Sequence, residues 1–87
     1  MASYRIEFKK SVKKDFRHLP QRDVLQILGR IRGLADKPRS SQSKKMSGQE
    51  KYRLRQGQYR ILYEIRDQLL LITIVKVRHR KEVYRML

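Results

Sequence analysis

The chain has 87 residues, no cysteine, and 23 Lys and Arg against 8 Asp and Glu, for a formal net charge of +15. That length holds one small domain with a modest core, and with no cysteine and only two scattered histidines a disulfide framework, thiolate chemistry and a zinc site all drop out. The charge asks for an anionic partner, whether nucleic acid, an acidic protein or a membrane surface, yet the longest apolar run, residues 69–75, is far too short to span a bilayer. Residues 1–8 are too short and too polar for a signal peptide. A single cytoplasmic domain over residues 1–87, without metal or cofactor, is therefore expected.

In chain order, Tyr4-Arg5-Ile6-Glu7-Phe8 alternates apolar and charged residues and predicts a short half-buried strand. Ser11 is placed to cap a helix, in which Val12, Phe16 and Leu19 form one apolar stripe and Lys, Asp and Arg occupy the other faces. Pro20 breaks that helix and opens a second, along which Val24, Ile27, Leu28, Ile31, Leu34 and Ala35 recur at helical spacing until Asp36-Lys37-Pro38 ends it. Residues 38–50 hold Ser, Gln, Lys and Gly with Met46 as the one large apolar side chain, and predict a loop.

The stretch from Lys51 to Tyr84 is the most informative. Apolar and basic residues alternate from Lys51 to Arg55, a looser alternation resumes at Tyr59, and Gly57-Gln58 suits a two-residue type II′ hairpin turn. That register sets Arg55 opposite Arg60 and Leu54 opposite Ile61. Tyr52, Leu54, Ile61, Tyr63 and Ile65 then share one face, and Arg53, Arg55 and Arg60 the other. Like charges facing across a strand pair are destabilising, so three guanidinium groups gathered in this way imply an anionic ligand. After a turn at Asp67-Gln68, the run Leu69 to Val75 is apolar on both faces and reads as the central strand. The chain closes with a basic segment from Val77 to Leu87 carrying Tyr84, read as a final helical turn.

Strand, helical hairpin and then a three-stranded antiparallel sheet make an α+β domain with its helices on one face. The face left open bears the arginines and, by parity, Leu62, Leu69 and Leu71, an apolar patch of the kind that marks a partner site.

Lys44-Lys45-Met46-Ser47-Gly48, Tyr52-Arg53-Leu54-Arg55, Gly57-Gln58-Tyr59-Arg60-Ile61-Leu62-Tyr63 and Val77-Arg78-His79-Arg80-Lys81-Glu82-Val83-Tyr84 together resemble the RelE toxins of bacterial and archaeal toxin–antitoxin systems, over nearly the whole chain. The resemblance implies a RelE-like fold and a metal-independent endoribonuclease that enters the ribosomal A site. There the ribose 2′-hydroxyl of mRNA attacks its own 3′ phosphate, and a small acidic RelB-like antitoxin blocks the toxin in a hetero-oligomer. By the same resemblance Arg60 is the phosphate clamp. Arg53 and Arg55 stand where many relatives have lysine. A guanidinium does not deprotonate in proteins, so proton transfer falls to Tyr84, His79 or a nearby lysine, with histidine best suited. Arg80 matches the shorter-tailed members and is preferred as the tail arginine, whereas Arg78 fits if spacing is counted back from Tyr84. Lys44, Lys45, Lys51, Arg78 and Lys81 form an electrostatic footprint for RNA and the ribosome. Leu62, Leu69 and Leu71 are the candidate antitoxin contacts. Two rival functions carry the same fold or charge: a ParE-like inhibitor of DNA gyrase, and a non-catalytic RNA-binding module, which would place stacking aromatics on the basic face.

Overall fold

The structure is a computed structural model that describes residues 3–40, 43–46 and 51–79. Strand β1 (Arg5–Phe8) leads into helices α1 (Lys10–Arg17) and α2 (Gln21–Gly33), followed by strands β2 (Ser43–Lys45), β3 (Lys51–Gln56), β4 (Tyr59–Arg66) and β5 (Leu71–His79). The strands form one mixed sheet in the order β1-β5-β4-β3-β2, with β1 parallel to β5 and the other neighbours antiparallel.

The α+β class and the helical hairpin are as expected, but the sheet has five strands and not three in a separate meander. Residues 38–50, expected to be loop throughout, contain β2. Nothing apolar marks Ser43-Lys44-Lys45. They form a strand because their backbone pairs with Tyr52, Arg53 and Leu54, and the Met46 N–H extends the ladder to the Lys51 carbonyl at 2.8 Å. Two lysines on so short an edge also discourage a further strand from adding there. The expected C-terminal helical segment lies outside the described residues.

Both helices pack on one face of the sheet, and the core is made where they meet it. Val12, Ile27, Ile31 and Leu34 pack against Tyr52, Leu54, Ile61, Tyr63, Ile65, Ile72, Ile74 and Val77, all buried, with Phe16 and Leu19 partly buried at the margin. Tyr63 is fully buried, stacks on Tyr52 with ring centroids 5.7 Å apart, and hydrogen-bonds both the Pro38 carbonyl and Ser43 Oγ at 2.7 Å. Burial pushes its phenol above the ordinary tyrosine range, against the lowering effect of the Ser43 bond.

Two turns set the strand registers. Gly57 has φ +57° while Gln58 stays at negative φ, which fits the II′ geometry and places Arg55 opposite Arg60 and Leu54 opposite Ile61 as predicted. The β4–β5 connection is a turn of 3₁₀ helix over Asp67–Leu69, closed by Leu70 in the left-handed region at φ 48°. It is held by Asp67, which accepts from the Tyr4 hydroxyl (2.6 Å) and from two nitrogens of Arg39 (2.8 and 3.1 Å). Those bonds, Arg39 first, lower the Asp67 carboxyl to about 2, and the bond to Asp67 raises the Tyr4 phenol. Arg39 also donates to the Tyr52 hydroxyl at 2.9 Å, so one guanidinium ties the loop after α2 to the core and to the far turn.

Ser11 does not cap α1. The helix starts at Lys10 with no side-chain cap, and Ser11 Oγ instead donates to the Val75 carbonyl at 3.4 Å.

Candidate active site

The face of the sheet away from the helices carries two adjacent rows of cations. The first runs Arg55–Arg60–Arg78 across β3, β4 and β5, each residue directly opposite the next. The second runs Lys44–Arg53–Leu62–Lys76 across β2 to β5. Successive rows on one face lie about 7 Å apart, two residues along a strand. One row further, Lys51, Glu64, Thr73 and Glu7 alternate basic, acidic and neutral groups, and Lys51 Nζ stands 4.0 Å from Glu64. This row separates the cations near the β3–β4 turn from Arg66 and Arg5 at the far end of the same face.

Arg60 sits at its centre. It lies on β4 between two neighbouring strands, is only 9% exposed, and its Nη1 is buried without a hydrogen-bond partner among the described residues. Arg55 beside it is exposed and Arg78 on the other side is half-buried. A buried guanidinium donor with no acceptor, flanked by two more guanidinium groups, is costly in isolation and is arranged to receive an anion with several oxygens.

Arg78 is fixed from outside the sheet. Its Nη1 pairs with Asp15 Oδ1, and the other oxygen of that buried carboxylate accepts the Val77 N–H at 3.1 Å. An aspartate in a lysine-rich helix reads as a solvated residue, and no sequence signal singled it out. Lys76 was likewise missed, because its place beside Arg53 depends on a bulge: Leu62 pairs with Lys76 but Tyr63 with Ile74, so Val75 has no opposite number.

The other candidates distribute as follows. Arg53 is half-buried in the second row, Lys44 and Lys45 are exposed on β2, and Lys51 opens β3. Arg80, Lys81 and Tyr84 lie outside the described residues, so of the two tail arginines it is Arg78 whose position is seen, opposite Arg60. His79 is not with the arginines. It pairs with Tyr59, whose ring it meets edge-on at 5.5 Å, and lines an open pocket of about 280 Å³ with Asp23, Gln26 and Gln56 on the α2 side. Tyr59 donates to Asp23 Oδ2 at 2.7 Å, and that bond pushes its phenol up to about 12. The strand alternation that exposes Arg78 on one face carries its neighbour to the other.

The expected leucine patch is not continuous. Leu62 is half-buried on the open face between Arg53 and Lys76. Leu69 is exposed, but on the 3₁₀ turn and not in a strand. Leu71 is 9% exposed, on β5, one strand in from the edge and not the central strand that the apolar run predicts, between Arg5 and Arg66 in its row. Among the described residues no three His, Asp or Glu side chains converge to hold a metal ion, and no helix is long and apolar enough to cross a membrane.

Comparison with known proteins agrees with this architecture. Residues 6–84 match the family described as ParE toxin of type II toxin-antitoxin system, parDE. No curated protein matches the sequence. Among solved structures the chain is similar to the RelB–RelE antitoxin–toxin complex from Methanococcus jannaschii (28% identity, TM-score 0.75, covering 92% of this chain and 96% of that one). It is also similar to the archaeal RelE–RelB complex from Pyrococcus horikoshii (26%, TM-score 0.78, 90% and 96%) and to the toxin–antitoxin complex RelBE2 from Mycobacterium tuberculosis (27%, TM-score 0.73, 90% and 99%). The chain belongs to the ParE toxin family of type II toxin–antitoxin systems, within the RelE/ParE superfamily.

Proposed function

We propose that this toxin is a metal-independent endoribonuclease that cleaves mRNA in the A site of the ribosome and so arrests translation. The observation that carries the proposal is Arg60, buried with an unpaired Nη1 between Arg55 and Arg78. A gyrase-binding module has no need of such a site, whereas phosphoryl transfer does. In the reaction the 2′-oxygen of one ribose bonds to the adjacent phosphorus and the bond from phosphorus to the 5′-oxygen breaks, leaving a cyclic phosphate and a free 5′-hydroxyl. Charge builds on the non-bridging oxygens, and preorganised guanidinium groups stabilise it. Arg60 is the central clamp, with Arg55 and Arg78 at its sides.

Two protons must move, one leaving the 2′-hydroxyl and one reaching the 5′-oxygen, and arginine is unsuited to either transfer. Lys44 and Lys76, in Arg53's row, are the described side chains nearest the arginines able to exchange one, with Tyr84 of the tail as a further candidate. His79, turned toward α2, is not carried into the mechanism.

The partners follow from the same surface. Lys44, Lys45, Lys51 and Lys81 add charge around the site for ribosomal RNA, and the protein acts in the cytoplasm, where translating ribosomes are. Solved relatives are complexes with RelB antitoxins, and a small acidic antitoxin is the complementary partner for a chain of +15. Leu62 and Leu69 remain candidate antitoxin contacts; Leu71, being buried, does not.

Primer extension on cellular mRNA after induction tests the activity. Discrete cuts within translated codons are expected, and Arg60→Ala should lose on the order of 10²–10³ in cleavage rate. Intact mRNA with DNA damage dependent on gyrase would instead establish the second reading, which the ParE name of the matched family favours.

A further inference from the structure

The outer edge of β5 is covered by a strand only over its first half. β1 pairs with Leu71 to Ile74 and then stops. Beyond that point α1 supplies what a strand would. The Lys9 N–H donates to the Ile74 carbonyl (3.0 Å), Ser11 Oγ to the Val75 carbonyl, and Asp15 Oδ2 accepts the Val77 N–H. Ser11 and Asp15 are four residues apart and so lie on one face of α1, beside the stripe of Val12 and Phe16 that enters the core. A carboxylate here satisfies the strand edge with one oxygen and has the other to spare. That second oxygen takes the Arg78 guanidinium.

We propose that Asp15 is a positioning residue for the cleavage reaction, holding Arg78 in line with Arg60 and Arg55 so that three guanidinium groups meet one phosphate. The inference rests on the ribonuclease reading above. Two physical needs are met at once. Three cations in one row repel one another, and without an anchor the half-exposed Arg78 would swing out into water. Asp15 is buried, locked by a backbone bond, and carries the compensating charge. It also occupies one guanidinium nitrogen out of a fork of five N–H donors, which leaves Arg78 donors for a phosphate. Placement to within about 1 Å is what such a contact requires for catalysis.

The test is single-turnover cleavage on programmed ribosomes by the wild-type protein, Asp15→Asn, Arg78→Ala, the double variant and Arg60→Ala. Asparagine keeps an oxygen for the Val77 N–H and removes the charge. Asp15→Asn is expected to cleave about 10–100-fold more slowly, and to slow Arg78→Ala no further, because an effect exerted through Arg78 vanishes with it. A structural role would instead produce the same fold-loss in both backgrounds, and that result overturns the proposal. So does an Asp15→Asn that cleaves faster than wild type, which would mean the carboxylate sequesters Arg78. If Asp15→Asn does not fold, Asp15→Glu carries the same comparison, with the charge kept but displaced by one methylene. Wild-type cleavage with an inactive Arg60→Ala and a fully active Asp15→Asn removes this inference alone. A wild-type protein that leaves mRNA intact removes the ribonuclease reading and this inference with it.

Discussion

Replacing Arg60 by methionine should abolish function and make the protein more stable. Methionine keeps the unbranched aliphatic stem and discards the guanidinium, whose Nη1 is buried without a partner. An unsatisfied buried donor costs about 1–3 kcal/mol. The like-charged neighbours on both sides, Arg55 and Arg78, each add on the order of 0.5 kcal/mol. Against this stands the loss of whatever solvation still reaches a residue that is 9% exposed. A net gain of about 2 kcal/mol corresponds to a rise of roughly 10 °C in melting temperature for a domain of this size. Thermal and urea unfolding of the isolated toxin measure it. Salt separates the contributions: raising ionic strength, and phosphate or sulfate above all, should stabilise the wild type more than Arg60→Met, because anions screen or fill the site. An Arg60→Met variant that melts below wild type would mean that the buried guanidinium is compensated in the free protein, and the anion-site reasoning would fail.

Three further outcomes are expected. Tyr63→Phe removes the bonds to Pro38 and Ser43 and should cost about 1–2 kcal/mol in urea unfolding with an unchanged m-value. Asp67, lowered to about 2, contributes stability that is present above its unfolded value near 3.8 and is lost as pH falls from there through 2; Asp67→Asn should flatten this acid limb and, because the Asp67 carboxylate raises the Tyr4 phenol, also reduce the loss of stability as pH rises above 10. The two left-handed turn residues should respond in opposite senses, Gly57→Ala destabilising by about 1 kcal/mol and Leu70→Asn stabilising by up to about 1 kcal/mol in equilibrium melts.

Much of the candidate site's geometry was legible because it depends on local spacing. Period-two alternation on either side of Gly57 is enough to face Arg55 to Arg60, and helical spacing is enough to select Ile27, Ile31 and Leu34 for the core. What escaped depends on pairings distant in sequence. β2 has no apolar pattern and exists through its ladder to β3. Parity along β5 is reset twice, by Leu70 at positive φ and by the unpaired Val75, so counting from Leu69 misplaced that leucine and missed Lys76. Asp15 belongs to a helix that every neighbouring lysine marks as solvated. Its burial follows only from β1 ending before β5 does. His79 looked catalytic by chemistry alone, and strand alternation turns it to the other side.

The sheet order carries a kinetic consequence. β5 is the last strand of the described chain to be synthesised, yet it lies inside the sheet, between β1 and β4. Until residues 71–79 are made, β1 has no partner, Arg78 is missing from its row, and the apolar faces of Ile61, Tyr63 and Ile65 lack the strand beside them. Closing the sheet means bringing Arg5 to Leu71 across nearly the whole described chain, a long-range step whose entropy is spent before the contacts form. A chain of this topology therefore cannot complete its sheet until nearly all of its described residues have been made. In that interval the incomplete sheet exposes apolar surface that the finished fold covers.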